Sequence, residues 1–373
     1  MGAPVPDASA SAGGELRRRY ELQLRERGYS PDSAQLEALA QLDALRSRLV
    51  AAAPPRPPWL AALLGAGPPV RGLYLWGGVG RGKTWLMDLF FDSLPIRERR
   101  RLHFHRFMHE VHARLKQLPA QRAPLEKLAA DIARTTRVLC FDELFVTDIA
   151  DAMILGGLFA GLLRRGVTLV ATSNVPPAQL YRDGLQRQRF EPAIALLEAH
   201  TQVLEVAGAT DYRLRQLTHA GTYLLSDTPG VEHQLRQLFD ELGGTGVQEG
   251  GTIRIEERAI PVVRLAHQAV WFGFQALCAG ARSQEDYIEI AREFQTLFLE
   301  QVPVLGAEHE DEARRLIALV DELYDRNVKL IVSAAAAPAQ LYAGTRVRAQ
   351  FARTASRLTE MQSREYLARE HRP

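Results

Sequence analysis

The sequence predicts an α/β protein whose core is a parallel β-sheet flanked by helices. Between residues 72 and 206, five short apolar runs typical of buried strands alternate with segments that carry apolar residues at helical spacing. Parallel strands need crossover connections, which helices usually supply. Near residue 211 the pattern changes to closely spaced strand-like segments. This change predicts a β-rich insertion, followed by a C-terminal α/β and helical region.

The part of the chain before the core divides into two segments. Residues 1–14 have the composition of a disordered tail, and 15–58 predict an N-terminal helical segment. Leucines recur at helical spacing in that segment, and the run AAAPPRPP at 51–58 then ends the pattern. The sheet-forming core is therefore expected at 59–210. The leucines are Leu36, Leu39, Leu42, Leu45 and Leu49.

The elements of the core follow from the alternating pattern. We expect strands at 73–76, 102–105, 137–141, 167–172 and 201–206, and helices at 82–92, 107–117, 149–164 and 186–199.

Two further regions follow the core. Residues 211–280 contain the strand-like runs TYLLS, TIRIEE, AIPVVRLA and AVWFGF and a helical pattern near 231–242. Residues 281–373 predict helices at 284–294 and 310–325, strands at 296–304 and 328–333, and helices to the end.

Composition and charge exclude several classes of protein. The chain of 373 residues is 46% hydrophobic and 24% charged, as is usual for a globular protein large enough for two domains. A formal charge of +2 gives no overall attraction to nucleic acid. Two cysteines, Cys140 and Cys278, cannot form a disulfide framework. No apolar run reaches 18 residues and the first 15 residues lack the features of a secretory signal, so we expect a cytoplasmic protein.

A glycine-rich loop follows the first predicted strand. Residues 77–84 read GGVGRGKT, which fits the phosphate-loop pattern G-x-x-x-x-G-K-[ST] in its required context between a strand and a helix. Only four lysines occur in the chain against 42 arginines, so the composition of the chain does not account for a lysine at the motif position. The loop predicts a P-loop NTPase that binds ATP. The nucleotide-binding residues are expected to be Gly77, Gly78, Val79, Gly80, Arg81, Gly82, Lys83, Thr84 and Trp85.

Two carboxylates end the third predicted strand, about 60 residues after the loop. The run RVLCFDE at 137–143 fits a Walker B strand, in which Asp142 and the hydroxyl of Thr84 hold Mg²⁺. Glu143 is then placed to polarise the attacking water as a general base.

The next strand ends in a polar group as well. Asn174 lies where an amide can orient the lytic water, the role named sensor 1 in ring ATPases. Alternatively, it begins the turn before Pro176. Arg187 and Arg189 follow, and one of them is a candidate arginine finger for a neighbouring subunit, although arginines in this chain are also common on solvated helices.

A basic segment rich in histidine extends from Arg97 to Arg122. It has eight arginines and lysines against two glutamates, which favours either a solvated helix or a nucleic-acid surface. A metal site formed by His105, His109 and His112 is disfavoured, because no carboxylate or cysteine completes the set. Within the segment, Phe107 and Met108 fit either a loop that grips a polypeptide or two core residues.

An internal repeat links two distant parts of the sequence. RRGVTLVATSNVPPAQLY, which ends at Tyr181, aligns without gaps to DRNVKLIVSAAAAPAQLY, which ends at Tyr342. The pattern fits either a duplicated unit or the convergence of two similar helix-strand-turn units.

The chain resembles a known family in five strings. They are GLYLWGGVGRGKT, RLHFHRFMHEVH, CFDELFVTDIADAMIL, ATSNVPPAQLYRDGLQRQRFEPAI and TASRLTEMQSREYL. Together these strings resemble the Afg-one-like (ATPase family gene one) proteins, over about residues 16–370. Near 278 the chain departs from the family pattern, which leaves the role of Arg282 open.

The resemblance implies an AAA+-type P-loop ATPase that assembles into a homo-oligomeric, ATP-promoted ring such as a hexamer. It gives nucleotide roles to Lys83, Thr84, Asp142, Glu143 and Asn174, and it implies that Arg353 or Arg357 senses nucleotide. For bacterial members in cell division it implies association with the FtsZ division ring, whose polymers they destabilise when ATP is present.

The residues and the resemblance together predict an ATP-hydrolysing enzyme that acts on a protein partner. A nucleic-acid-associated ATPase of the helicase-loader type is the alternative, and stimulation of hydrolysis by single-stranded DNA would support it. A small-molecule kinase is disfavoured, because a glutamate beside the Walker B aspartate suits the activation of water.

Overall fold

The structure is a computed structural model that describes residues 14–27, 30–52, 69–118, 123–207, 214, 217–218, 220–243, 246–255 and 258–372. The chain divides into two compact units, 1–210 and 211–373. The predicted tail at 1–14 falls, except for Gly14, outside the described residues, as does the stretch 53–68 before the sheet.

Two helices open the first unit. Helix α1 spans Glu15–Arg27, and α2 spans Ser33–Ala51. Helix α2 begins where the carboxylate of Asp32 accepts hydrogen bonds from two backbone N–H groups of the first turn, which have no partner inside the helix. The predicted leucine face is buried at Leu39, Leu42, Leu45 and Leu49, and Leu36 is partly buried.

The sheet of the first unit has five parallel strands in the order β2-β3-β4-β1-β5. The predicted parallel sheet flanked by helices is therefore confirmed. Strand β1 lies in the interior with β4 and β5 on its two sides, so the loop after it opens beside the ends of its neighbours. The strands are β1 (Gly72–Trp76), β2 (Arg99–His103), β3 (Val138–Asp142), β4 (Thr168–Ser173) and β5 (Thr201–Glu205).

Helices cover both faces of this sheet. The strand side chains alternate between two hydrophobic cores, so that Leu139 and Phe141 face one core, whereas Val138 and Cys140 face the other. Helices α1, α2 and α3 pack on the face of Cys140, and α4 to α7 pack on the opposite face. These further helices are α3 (Lys83–Ser93), α4 (Phe104–Gln117), α5 (Pro124–Ala133), α6 (Ile149–Arg164) and α7 (Glu191–His200).

Three elements of this unit differ from the sequence prediction. Strand β2 begins at Arg99 rather than at 102, because its arginines have long aliphatic stems that pack while their charged ends find partners. Helix α5 has no counterpart in the prediction. The helix predicted at 186–199 is a 3₁₀ turn, Arg187–Arg189, followed by α7, whose first turn accommodates Pro192.

The second unit contains one six-stranded sheet in the order β6-β13-β12-β11-β10-β7. Strands β6, β13, β12 and β11 are parallel. Strand β10 pairs antiparallel with β11 on one side and with β7 on the other. Residues on both sides of 280 therefore share one sheet, where the sequence suggested two separate regions. The strands are β6 (Tyr223–Leu225), β7 (Gln248–Glu249), β10 (Arg264–Leu265), β11 (Ala269–Gly273), β12 (Thr296–Val302) and β13 (Lys329–Ala334).

The remaining elements of this unit surround that sheet. Strands β8 (Thr252–Ile255) and β9 (Arg258–Pro261) pair as an antiparallel hairpin. The helices are α8 (Val231–Gly243), α9 (Gln284–Glu293), α10 (Glu310–Asp325), α11 (Arg348–Glu360) and α12 (Arg364–Leu367).

Candidate nucleotide site

The glycine-rich loop lies between β1 and α3, at the carboxyl end of the interior strand. Gly77 has a φ of 149°, and a Cβ atom there would stand 2.6 Å from the carbonyl oxygen of Val206, so a larger residue would have to displace backbone. Gly82 has a φ of 81° and is the N-cap residue of α3. The loop therefore leads directly into a helix N-terminus, where backbone N–H groups favour an anion.

The ammonium group of Lys83 is folded over this loop. Its Nζ donates to the carbonyl oxygens of Gly77 and Gly78, both at 2.7 Å, and to the side-chain oxygen of Asn174 at 3.1 Å. Lys83 is buried. The contact with Asn174 brings together two predicted site residues that are 91 positions apart in sequence.

A buried donor in the loop is left without a partner. The Nη1 atom of Arg81 is inaccessible to solvent and has no hydrogen-bond partner among the residues that the structure describes. An unsatisfied buried donor costs about 1–3 kcal/mol. This cost makes Arg81 an unusual feature of the loop.

The two carboxylates after β3 lie in different surroundings. Asp142 is the last residue of the strand and is fully buried, whereas Glu143 is partly exposed. Glu143 has a φ of 53°, the left-handed region that non-glycine residues rarely adopt, and its N–H donates to the hydroxyl of Thr172 at 3.1 Å. This turn sends the two side chains in different directions from adjacent positions, one into the protein and one toward solvent.

The segment after Glu143 is tied to the end of β4. The N–H of Leu144 donates to the carbonyl oxygen of Thr172 at 2.8 Å, and the Ser173 hydroxyl donates to the carbonyl oxygen of Leu144 at 2.7 Å. These bonds fix the positions of Glu143 and Asn174 relative to each other. The predicted loop, Walker B and sensor residues are therefore grouped at one edge of one sheet.

An arginine that was not predicted as a site residue contacts the Walker B aspartate. Arg101, on β2, donates from Nε and Nη2 to the two carboxylate oxygens of Asp142, at 2.7 and 3.1 Å. Its Nη1 donates to Asp88, one turn beyond Thr84 on α3. All three side chains are at most 8% exposed. Burial lowers the pKa of Arg101, but the charges of Asp142 and Asp88 outweigh that effect and raise its pKa, so the guanidinium stays protonated.

The N-terminal helices support the loop from behind. The side-chain amide of Gln35, on α2, donates to the carbonyl oxygen of Arg81 at 2.9 Å, and its oxygen accepts from the hydroxyl of Tyr20 at 2.8 Å. A Cβ atom added at Gly82 would stand 2.6 Å from that same amide nitrogen. Helices α1 and α2 thus contribute contacts that support the loop, which the sequence pattern alone did not reveal.

The two candidate finger arginines differ in their contacts. Arg187 donates to the backbone carbonyl oxygens of Leu180 and Ala178, at 2.6 and 2.7 Å, and so ties its own loop together. Arg189, at the other end of the same 3₁₀ turn, is exposed.

Part of the basic segment is engaged within the protein, whereas Arg97, Arg106, Arg114 and Lys116 are exposed. Arg99 donates to the backbone oxygen of Leu94 at 2.6 Å, Arg100 pairs with Glu110, and His112 bonds Asp151 at 2.6 Å. The described residues contain no cluster of three or more metal-ligating side chains. Phe107 and Met108 are each 1% exposed and belong to the core, so they do not form a gripping loop.

The late arginines belong to the second unit. Arg353 and Arg357, on α11, both pair with Asp321 of α10, at 3.1 and 2.6 Å. Arg282 donates to the carbonyl oxygen of Ala276 at 2.9 Å. Each of these contacts holds one part of the unit to another, and none of them identifies a role toward nucleotide.

The fold and the glycine loop together define a P-loop NTPase. The chain matches the family model described as AFG1-like ATPase over residues 15–370. It is 47% identical over 364 residues to Cell division protein ZapE of Escherichia coli K12, covering 95% of this chain and 97% of that protein. The chain belongs to the AFG1-like ATPase family.

More distant relatives and solved structures are also similar. The chain is 40% identical over 280 residues to Lactation elevated protein 1 homolog B of Danio rerio, which covers 71% of this chain and 56% of that protein. A crystal structure of DnaI aligns with a TM-score of 0.34 at 18% identity, over 47% of this chain and 86% of that one. AMPPCP-bound DnaA from Aquifex aeolicus aligns with a TM-score of 0.31 at 12% identity, over 87% and 85%.

Among the described residues, no helix is both long and apolar enough to cross a bilayer.

Proposed function

We propose that this chain is an ATP-hydrolysing, ring-forming ATPase that acts on a protein partner in cell division, the FtsZ polymer. The observation that carries the catalytic part is the grouping of Lys83, Glu143 and Asn174 at the carboxyl edge of one parallel sheet. In open α/β sheets this edge is where ligands bind.

The residues of the site divide the work of hydrolysis. The loop amides and Lys83 bind the β- and γ-phosphates, and Lys83 exchanges its backbone partners for phosphate oxygens. Glu143 is partly exposed at the mouth of the site, so it can accept a proton from a water molecule in front of the γ-phosphate. Asn174 orients that water from the neighbouring strand.

The donor set fits the magnesium ion that ATP carries. The Thr84 hydroxyl at the start of α3 and the Asp142 carboxylate at the end of β3 are oxygen ligands of the kind that Mg²⁺ prefers. Once bound, the ion would neutralise charge on the phosphates. Asp142 would help to hold the ion from a carboxylate whose two oxygens are kept in place by hydrogen bonds from Arg101.

We assign the trans-acting finger to Arg189. The guanidinium of Arg187 donates to two backbone carbonyl oxygens. If it turned toward a neighbouring subunit, the loop at 178–187 would lose both hydrogen bonds. Arg189 is exposed and can reach a neighbouring subunit. An arginine that enters the site from a neighbour stabilises transition-state charge and makes activity depend on the ring.

The choice of partner is supported by similarity. The relative that is 47% identical is named a cell division protein, and the two chains cover each other almost completely. The resemblance described under the sequence analysis implies association with FtsZ, and we place this protein in the cytoplasm. A nucleic-acid partner is the alternative: Arg99, Arg100 and Arg101 of the basic segment are engaged within the protein, whereas Arg97, Arg106, Arg114 and Lys116 are exposed.

Sedimentation of FtsZ polymers tests this proposal. Purified protein with ATP should reduce the amount of pelleted FtsZ, while Glu143→Gln, which binds ATP but does not hydrolyse it, should have much less effect. Phosphate release measured in the same samples links the effect to turnover.

One pair of results would contradict this proposal. If single-stranded DNA accelerates phosphate release in a salt-sensitive way and FtsZ polymers are unaffected, the partner is a nucleic acid.

A further inference from the structure

The ion triad of Asp88, Arg101 and Asp142 suggests a further role at the ATPase site. The triad joins the helix that follows the loop to strands β2 and β3, and its members are almost completely buried. Two buried carboxylates that share a site repel each other unless a cation lies between them. Arg101 provides that cation, and its planar fork contacts both oxygens of Asp142.

The position of the triad connects it to the metal-binding residues. Asp142 is the Walker B aspartate, and Asp88 follows Thr84 by one helical turn, so the two lie on the same face of α3. Arg101 also lies 3.4 Å from the backbone oxygen of Thr84 through its Nη2 atom. The guanidinium therefore contacts the carboxylate of Asp142 and the backbone of Thr84, the two residues that we assign to Mg²⁺.

We propose that Arg101 is a positioning residue, an internal counter-ion that holds the Asp142 carboxylate in its working orientation and balances its charge before the metal arrives. The proposal rests on the ATPase function proposed above. A residue that orients a metal-binding carboxylate commonly changes metal affinity or activity by about 10–100-fold when it is removed.

Two variants of Arg101 test the counter-ion role and the positioning role separately. Arg101→Met removes the charge, so the two carboxylates repel each other, and the melting temperature of the full chain should fall by about 10 °C. Excess magnesium chloride without nucleotide should then raise the melting temperature of Arg101→Met by several degrees, and that of the wild type by less than about one degree, because the ion replaces the missing charge.

Arg101→Lys retains the charge but loses the fork. This variant should keep most of the wild-type melting temperature and bind a fluorescent ATP analogue with an affinity within about threefold of wild type, whereas turnover at saturating ATP should fall by about tenfold or more. Arg99→Lys is the matched control. It changes a partly buried arginine two positions earlier on the same strand, whose contacts are backbone oxygens and the Phe91 ring.

Each result supports or overturns the proposal. A magnesium effect that is the same in Arg101→Met and wild type excludes the counter-ion role, and wild-type turnover in Arg101→Lys excludes the positioning role. If Arg101→Met does not fold, Arg101→Lys still decides the question. The melting experiment uses no nucleotide, so its result does not depend on whether the chain hydrolyses ATP.

A second inference has an independent basis, the architecture of the unit at 211–373. Its strands β6-β13-β12-β11 are parallel and repeat the arrangement β1-β4-β3-β2 of the first unit. Three consecutive elements of the first unit also recur in the second. The first and last residues of each element lie 161 positions before those of its counterpart. They are α6 and α10, β4 and β13, and the 3₁₀ turns Pro177–Gln179 and Pro338–Gln340.

Irregular details recur as well. The hydroxyl of Tyr74 on β1 donates to the backbone oxygen of Val175 at 2.9 Å, and that of Tyr223 on β6 donates to Ala336, 161 positions after Val175, at 2.7 Å. Shared folding rules explain a helix beside a strand, but they do not require a tyrosine in the first strand to bond the same turn.

A rare backbone conformation recurs as well. Glu143, directly after β3, has a φ of 53°, and its N–H donates to the hydroxyl of Thr172. Gln301, at an irregularity within β12, has a φ of 59°, and its N–H donates to the hydroxyl of Ser333 at 3.0 Å. Two positive φ angles with hydroxyl partners 161 positions apart favour duplication over convergence.

The second unit has the strand arrangement of the first but lacks its predicted nucleotide-site residues. The segment between β6 and α8 reads SDTPG and has neither the lysine nor the glycine pattern of a phosphate loop. Glu300 and Gln301 stand in the places of Asp142 and Glu143, and Ala335 in that of Asn174. We infer that the second unit is a copy of the ATPase core that no longer binds nucleotide.

Equilibrium dialysis of the full chain with radiolabelled, non-hydrolysable ATP analogue tests this inference. Wild type should bind one equivalent per chain, and Lys83→Ala should bind none. A second equivalent in wild type, or one equivalent retained in Lys83→Ala, would overturn it. If wild type binds one equivalent but does not hydrolyse ATP, this inference stands and the proposed function is contradicted.

Discussion

The ammonium nitrogen of Lys83 lies 3.1 Å from the side-chain oxygen of Asn174, which links the phosphate loop directly to the end of β4. The same nitrogen also donates to two loop carbonyl oxygens. A lysine ammonium has three donors, so all three are in use, and a phosphate group must displace at least one partner. Nucleotide binding therefore has to break at least one of the hydrogen bonds that join Lys83 to the loop and to Asn174.

Lys83→Ala and Glu143→Gln should separate binding from hydrolysis. Lys83→Ala removes a phosphate contact and should lose ATP binding in a fluorescence titration, whereas Glu143→Gln should bind ATP with near wild-type affinity. Loss of the general base should slow phosphate release by roughly 10²–10⁴-fold, or about 3–5 kcal/mol of barrier. Equal losses of affinity in both variants would contradict this division of roles.

Asn174→Ala should behave like Glu143→Gln more than like Lys83→Ala. The amide acts on water in the transition state, so turnover should fall while ATP affinity changes little. Its removal also frees one Lys83 donor for phosphate, and affinity is therefore expected to stay equal or rise slightly. A large loss of affinity would show that Asn174 serves to position Lys83.

Arg189→Ala should reduce turnover, whereas Arg187→Ala should reduce stability. Arg189→Ala should keep the melting temperature and ATP affinity of wild type and lose up to roughly 10³-fold in turnover. Arg187→Ala should lower the melting temperature, because the carbonyl oxygens of Leu180 and Ala178 lose a charged donor.

Mixing experiments add a test of the ring. Arg189→Ala mixed with Lys83→Ala should recover activity, since some interfaces then combine an intact nucleotide site with an intact finger. Activity per subunit should also fall on dilution. Absence of recovery in rings shown to contain both variants would exclude a finger that acts between subunits.

Gln35→Ala should weaken ATP binding although Gln35 lies outside every motif. It removes the hydrogen bond to the Arg81 carbonyl oxygen and leaves space beside Gly82, so the loop loses its support from α2. We expect the dissociation constant of ATP to rise by roughly tenfold, or about 1.4 kcal/mol. Gln41→Ala, on the same helix but half-buried, is the control and should bind ATP normally.

The sequence was sufficient for those parts of the fold and site that depend on local pattern. The loop at 77–84 and the strand ending at Asp142 are contiguous motifs, and each lies at the predicted place in the sheet. The predicted helix 310–325 coincides with α10, because its apolar residues repeat with a helical period.

Other features depend on pairing between distant segments. Arg101 was assigned to a basic surface segment because its neighbours are arginines, and only the pairing of β2 with β3 places it against Asp142, 41 residues away. Gln35 contacts the loop across 46 residues for the same reason. A residue whose function depends on a partner in another element leaves no periodic signal in its own segment.

Each unit contains one of the two cysteines, Cys140 on β3 and Cys278 beside α9, and both thiols are buried and free of disulfides. Burial raises the pKa of Cys140 to about 12 and raises the pKa of Cys278 as well. Alkylating reagents attack the thiolate, so neither cysteine should react until its own unit opens. The rates of alkylation at the two positions, resolved by peptide mass, would therefore time the opening of the two units separately within one sample.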